Sequence, residues 1–509
     1  MRAWWQVAWV CLATAGCGGP LPEALLSEEH APEEVTAHWD APLPKLGPAT
    51  LLKDIYPPPP GPFPDPLGGP SPTDLVSFRG KLFFSAFDFE ADRGALWRSA
   101  GTTASTVPVK HLDDSPGRLT VVGKQLFFTE GFMEHGAELW ASDGTTAGTR
   151  QVKDLAPEGG TASLADFIAV GNKLYFFRSV RPTLVAAENL ELWRSDGTSA
   201  GTVRVKDLGP RDTVNGPFDL ASVGNRLFMS LGMPDTGVEL WVSDGSASGT
   251  RLVKDINPGA ASSFPRSLTQ AEGVLYFSAD DAVHGREVWR SDGTAKGTEL
   301  VEDTVPGPQG SEAQIFALFK ERLYFATFTP GFTVTEIRKL DPDPSCHPRS
   351  NLVASIPNPY ADLPFDFFIF VATSTATERK LYFTLFYDIG SPAPFDVQLW
   401  RTDATAQGTK LLYQPLIVSP DLRPPTPVPT DDGRVVFYAF DEAHGHELWV
   451  SNGQPSGTRL LQDIVPGPAS SYPQDLLRVG DFIYFTALDG QLGREIWVLP
   501  VPRPQVASH

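Results

Sequence analysis

The chain is expected to fold as an all-β protein, a single β-propeller of about nine four-stranded antiparallel blades. Three observations predict it. A segment of about 48 residues repeats through most of the 509 residues. Each copy divides into four short runs of β-forming residues separated by Gly- and Asp-containing turns, and none carries helical periodicity. The array opens on the last strand of a repeat and closes on the third, a phase that a ring explains and an open stack does not.

The unit is clearest over 255–303, DINPGAASSFPRSLTQAEGVLYFSADDAVHGREVWRSDGTAKGTELVED. A first run over 267–271 ends at the turn pair Glu272-Gly273. VLYFSA follows, then the polar loop DDAVHG, the third run EVWRS, the turn DGTAKGT and the last run ELVED. Four runs of this length joined by Gly/Asp turns read as an antiparallel meander. Runs such as LYF and ELW are apolar on adjacent residues. A strand with one wet face alternates, so these sheets are expected to be covered on both faces, as stacked blades are.

The hallmark recurs as ALWRSAGT from Ala95, ELWASDGT from Glu138, ELWRSDGT from Glu191, ELWVSDGS from Glu239 and EVWRSDGT from Glu287. A decayed EIRKLDPD follows from Glu336, with Ile337 read in the tryptophan position. Then come QLWRTDAT from Gln398, ELWVSNGQ from Glu447 and EIWVLPVP from Glu495. The spacing stays near 48 with loop-like insertions, the mark of a repeat architecture. These segments resemble the ELWxxDGT repeats of bacterial surface and secreted proteins. The resemblance covers about 51–500 and implies a repeat scaffold without a particular chemistry.

LLKDI at 51–55 matches LVKDI at 252–256, whereas the array ends in EIWV at 495–498. In a ring, the N-terminal strand completes the C-terminal blade and no sheet edge is left exposed. The LYF-type strands, at Leu82, Leu126, Leu174, Leu227, Leu275, Leu323, Leu381, Val435 and Ile483, count nine. Eight blades plus one degenerate unit is the alternative.

At the N-terminus, Arg2 precedes an apolar run over 3–15 in which only Gln6 and Thr14 are polar. The roughly 20 residues that cross a bilayer are not reached, and the pattern is that of a signal-peptide core. Thr14-Ala15-Gly16-Cys17 resembles the bacterial lipobox, which implies cleavage after Gly16 and lipid attachment at Cys17. The expected organisation is a signal peptide (1–16), a lipidated acidic and proline-rich tether (17–48), the propeller (49–500) and a C-terminal tail (501–509). The proline-dense stretch at 42–72 reads as an extended spacer, and 415–429 as an inter-blade loop. The cysteines are Cys11, Cys17 and Cys346, which is no disulfide framework. A monomer is expected, exported and held in the cell envelope through its lipid, at the outer membrane or cell surface. The net charge of −20 excludes nucleic acid as a partner, since polyanion binding is driven by Lys and Arg.

The pairs Asp143-Gly144, Asp196-Gly197, Asp244-Gly245 and Asp292-Gly293 are assigned a structural role. Asp-Gly suits a turn that needs positive φ, and the carboxylate accepts from turn amides. Glu138/Lys153, Glu191/Lys206 and Glu239/Lys254 lie 15 apart and are expected to face one another across strands three and four. In the fifth copy Glu302 takes the lysine position opposite Glu287, a like-charged pair that is unfavourable or attracts a cation. The loop histidines His135, His284 and His444, with His446, are too few per loop for a metal site. Cys346, beside His347, reads as a lone thiol in the loop of the decayed repeat. No P-loop, nucleophile elbow, zinc-type spacing or paired-cysteine motif occurs, so no catalytic residue, metal or cofactor is assigned. The function expected is a surface-anchored binding scaffold for a protein or glycan partner of the envelope or extracellular space. The alternatives are a carbohydrate-active propeller enzyme (hydrolase or lyase), whose site would be sought in the decayed unit at 328–370, and a passive envelope protein.

Overall fold

The computed structural model describes residues 46–55, 71–130, 138–156, 161–181, 187–211, 213–340, 349–362, 368–389, 396–417, 422–490 and 493–501. The expectations for Cys17, the signal peptide, His135, Cys346 and His347 fall outside them. The described residues form nine four-stranded antiparallel sheets. Blades 1 to 8 span 73–112, 117–154, 161–210, 215–254, 266–302, 314–357, 368–413 and 428–462. Blade 9 combines 474–500 with the N-terminal strand Thr50–Lys53. The innermost strands touch in sequence from blade to blade, and that of blade 9 touches that of blade 1. The ring is therefore closed with nine blades, and the eight-blade alternative is excluded.

Closure occurs where the sequence phase places it. Thr50–Lys53 pairs antiparallel with Arg494–Pro500, Leu51 opposite Trp497. Its residues take the same jobs as in an ordinary outer strand. Ile55 N–H donates to the Glu495 carboxylate at 3.1 Å, and Leu52 is buried among Leu82, Phe84 and Trp97 of blade 1. The apolar runs are covered on both faces as expected: Leu82, Phe83 and Phe84 are all buried, as are Leu275, Tyr276 and Phe277. Segment 415–429 joins blades 7 and 8. It buries Leu416 and Ile417, and its last two residues, Val428–Pro429, form the short innermost strand of blade 8.

The cross-strand Glu–Lys pairs do not form. A bulge between the Leu and Trp of ELW shifts the register by one residue. Lys153 faces Leu139, Lys206 faces Leu192, and Lys254 faces Leu240. A bulge adds an unpaired residue and twists the strand, so the lysine leaves its own blade for the next. Lys254 Nζ donates to Thr298 O at 2.9 Å and lies 5.4 Å from the Trp289 ring centroid. Lys153 does the same at Thr202 and Trp193, and Lys206 at Thr250 and Trp241. In the closing strand, Lys53 reaches Thr106 O and the Trp97 ring across the last seam.

Two further expectations are corrected. In the decayed blade 6, Phe325 faces Arg338, as Met229 faces Trp241 in blade 4. Arg338 therefore holds the tryptophan position, and Ile337 holds that of the preceding Leu. Glu302 faces Val288 and not Glu287, so the like-charged pair is absent. Instead Glu302 accepts from Ser350 N–H of blade 6 at 2.8 Å.

Candidate binding site at the channel mouth

In an antiparallel meander the start of strand one, the end of strand two and the start of strand three share one face of the ring. The turn between strands three and four lies on the other. The Asp-Gly turns thus occupy one face and the long crossovers between blades the opposite one.

On the turn face the polar groups bond within each turn. Asp143 Oδ1 accepts from Thr145 N–H and Oγ1–H, and Gly148 N–H donates to Thr145 Oγ1. Ser142 Oγ and Thr149 Oγ1 bond beneath it at 2.6 Å. The same set recurs at Asp196, Asp244 and Asp292. Hydrogen bonds from Thr145, Thr198 and Ser246 hold the Asp143, Asp196 and Asp244 carboxyls below their ordinary range. The paired glycines adopt positive φ, 91° at Gly144 and 87° at Gly245, and Gly197 and Gly293 do likewise. At Gly245 a side chain would collide with the Tyr175 hydroxyl of the preceding blade. In each pair the carboxylate and the glycine thus serve the geometry of the turn.

The crossover face is held from within by the glutamate of ELW. Glu239, fully buried, accepts from Ile256 N–H, Ser263 N–H and Ser263 Oγ–H. Glu287 binds Val305 and Ser311, and Glu447 binds Ile464 and Ser471, in the same way. Burial raises all three carboxyls above the usual range against the pull of these donors. The loop histidines are locally paired: His284 Nδ1 lies 2.7 Å from Asp281, and His444 Nδ1 lies 2.9 Å from Asp441. His446 is buried between Phe440 and Tyr472, and desolvation lowers it to about 4. Among the described residues, no three His, Cys, Asp or Glu side chains converge as a metal site would require.

At the crossover end of the channel the mouth divides into two arcs. Five of the nine innermost strands carry a bulge with a non-glycine residue at positive φ: Asp74, Arg118, Asp166, Ser267 and Asp475 lie between 54° and 58°. Blades 9, 1, 3 and 4 make a mainly acidic arc of Asp475, Asp74, Asp166 and Asp219, interrupted by Arg118 of blade 2. Surrounding protein raises the Asp166, Asp219 and Asp475 carboxyls, partly opposed by Arg118 and Arg211 at Asp166. Asp219 also ties blade 4 to blade 5 by accepting Leu268 N–H at 2.9 Å.

Blades 4 to 7 make an aromatic arc. Phe218, Phe264, Phe368 and Phe370 are 55%, 38%, 67% and 39% exposed. Phe218 meets Phe264 edge-on at 6.1 Å, and Phe370 stacks on Phe386 at 4.9 Å. Beside them opens a cleft of about 630 Å³, lined by Arg266, Arg286, Glu312, Gln314, Phe328 and Phe332 together with Phe368 and Phe370. That volume lies within the range of small-ligand pockets. Phe328 and Phe332 belong to the decayed blade 6, whereas Phe368 and Phe370 open blade 7, at the end of the segment 328–370 singled out by its departure from the repeat. Arg286 is partly buried and engaged. It donates to Phe264 O at 2.9 Å and approaches Glu312 at 3.7 Å, and burial lowers its pKa. Arg266 lies over the Phe264 ring and makes no ion pair among the described residues.

The sequence missed all of these mouth residues. Phe218, Phe264, Phe368 and Phe370 belong to no motif and are four of 32 phenylalanines. The usable signal was negative: Phe368-Ile369-Phe370 lies where the repeat pattern fails.

The fold and its mouth define the class: a closed, nine-bladed β-propeller with the short Asp-Gly turns on one face and an aromatic cleft on the other. No family model matches the chain, and no curated protein does. Among solved structures it is similar to a prolyl endopeptidase at 13% identity and TM-score 0.40, over 75% of this chain and 54% of that one. It is also similar to the acylaminoacyl peptidase of Pyrococcus horikoshii, at 12% identity and TM-score 0.36, over 82% and 57%. A third similarity is to the β-propeller domain of the Trilobed protease from Pyrococcus furiosus, at 10% identity and TM-score 0.34, over 77% and 98%. The chain spans little more than half the length of the first two. These likenesses are of fold.

Proposed function

We propose that the protein is a binding module, exported and anchored in the cell envelope by a lipid on Cys17, that captures its partner at the aromatic arc of the channel mouth. One observation carries the reading. Phe368 and Phe370 stand open on the lining of a cleft, with the exposed pair Phe218 and Phe264 close by, whereas most aromatic side chains of the described residues are covered between blades. Exposed apolar clusters with a polar rim mark interaction sites. The cleft's partly buried cation, Arg286, is used up by carbonyls and Glu312, which suits a wall better than a reacting group and favours binding over catalysis.

The site is tested with Phe368→Ser/Phe370→Ser. Both side chains are solvent-exposed, so melting should hold within a degree or two while ligand capture falls. Unchanged capture would remove the mouth as the site. Anchoring is tested separately by mass spectrometry of the mature N-terminus: a diacylglyceryl or triacyl Cys17 is expected, and an unmodified Cys17 peptide would remove the lipoprotein assignment.

A further inference from the structure

The chemistry of the cleft narrows its ligand. The chain carries a net charge of −20, and half of the mouth is an acidic arc. Within the aromatic arc, however, two guanidiniums, Arg266 and Arg286, line the same cleft. Only Arg286 is answered, by carbonyl oxygens and by Glu312. Arg266 is exposed on the Phe264 ring. A cation that stands open among apolar rings fits a ligand that carries one anionic group beside an apolar body.

The backbone indicates what that body is. Phe368–Ala376 is the innermost strand of blade 7 and is paired within its sheet on one side only. Its free edge already receives an amide. The Gln314 side chain donates to Val371 O at 2.8 Å and accepts from Val371 N–H at 2.9 Å, as a peptide group in an added strand would. Toward the mouth, Phe368 and Phe370 point to solvent while Ile369 is buried. This alternation gives an added strand apolar contacts at every second residue.

We propose that the mouth binds the C-terminal end of an extended polypeptide, with its terminal carboxylate at Arg266 and its last, apolar side chain among Phe264, Phe368 and Phe370. The peptide backbone continues the edge pairing begun by Gln314. Glu312, at the cleft wall, repels further acidic side chains, so the preferred ends carry an apolar last residue and a neutral or basic one before it. The inference rests on the mouth being the binding site.

The full chain, fluorescently labelled, is applied to an array of octapeptides covering all C-terminal residues, each printed as the free acid and as the amide. Selected peptides are then titrated in solution. Free acids ending in Phe, Leu or Ile should bind, and their amides should bind roughly tenfold to a hundredfold more weakly, the size expected of a charge-assisted contact. Arg266→Gln should abolish that difference while leaving melting unchanged, and Phe368→Ser should weaken acid and amide alike. Equal binding of acids and amides would overturn the carboxylate assignment. If no peptide binds, but an oligosaccharide array yields a ligand that Phe368→Ser loses, the peptide proposal fails and the binding site stands. Ligands indifferent to both substitutions would overturn both.

Discussion

The seam between blades 4 and 5 and the seam between blades 5 and 6 hold the same geometry by opposite chemistry. At the first, Lys254 lies over Trp289 and donates to Thr298 O. At the second the lysine has become Glu302 and the tryptophan Arg338, with Ser350 between them: its N–H donates to Glu302 and its Oγ accepts from Arg338 Nε at 2.9 Å. Both halves of the contact have changed together. The seam between blades 8 and 9 shows a third solution. Blade 9 has no turn to receive a lysine, and Gln462 instead clamps Ala49, accepting its N–H at 2.7 Å and donating to its C=O at 3.0 Å. The repeat signature is thus a docking code between neighbours, and a departure in one blade is legible as an answer to the blade beside it.

Blades 1 and 2 show the same rule inside a single turn. In blade 2 the Asp143 carboxylate lies so close to Gly148 that a side chain there would collide with it. In blade 1 the two positions are Ala100 and Ser105. With no carboxylate present a side chain fits, and Ser105 Oγ takes over its task by accepting from Thr102 N–H at 3.2 Å.

The largest expected effect separates blade 4 from blade 6. Glu239→Ala leaves the Ser263 hydroxyl and several crossover amides without an acceptor in a dry site. The expected cost is about 2–4 kcal/mol by calorimetric melting. In blade 6 the equivalent Glu336 is partly exposed and is paired with Arg338 at 2.7 Å, so Glu336→Ala should cost about 1 kcal/mol or less. Equal losses would mean that the decayed blade keeps a crossover contact of the regular kind.

Next comes the turn swap. Gly148→Ser alone should destabilise by about 1–3 kcal/mol through its clash with Asp143. Adding Asp143→Ala, which recreates the pair found in blade 1, should recover most of it, with a coupling of about 1 kcal/mol. Simple additivity would break the comparison. At the seams, Lys254→Ala should cost about 1 kcal/mol, the sum of a cation–π contact and one hydrogen bond. Glu302→Lys alone should also destabilise, by roughly half a kcal/mol or more, because it sets a lysine against Arg338. Arg338→Trp should partly rescue it.

The smallest effect is in pH dependence. The lowered Asp244 carboxyl contributes stability that is present above its unfolded value of about 3.9 and lost as pH falls through its folded value. The raised Glu239, Glu287 and Glu447 act in the opposite sense. Each keeps its proton longer in the folded chain, so its contribution falls as pH rises from about 4.3 toward the folded value. Asn452 already serves in the turn of blade 8 by accepting Gln454 N–H at 2.9 Å. Asp244→Asn should therefore leave melting at pH 7 almost unchanged and slightly flatten the loss below pH 4. A steeper loss would contradict the direction assigned to Asp244.

The propeller was legible because its evidence is periodic: apolar runs, Asp-Gly turns and the phase of residues 51–55 against 495–498 repeat or match. The Glu–Lys register was not, because one extra residue in the bulge redirects Lys254 to another blade while leaving the sequence spacing intact. Arg338 was misplaced by one position for want of a tryptophan to count from. The mouth was illegible for a different reason. Phe218, Phe264, Arg266 and Phe368 come from three blades and share neither a motif nor a spacing, and only the closed ring brings them to one opening.

The repeat signature builds the scaffold, and binding is proposed to lie at the mouth. The most direct test is one titration of a free-acid peptide ending in Phe against three proteins: the unaltered chain, Phe368→Ser/Phe370→Ser and Asp244→Ala, each also melted. The mouth variant is expected to keep its melting temperature and lose binding at least tenfold, whereas the turn variant melts earlier and binds as the unaltered chain does. Binding that survives at the mouth variant and disappears with Asp244 would contradict this expectation.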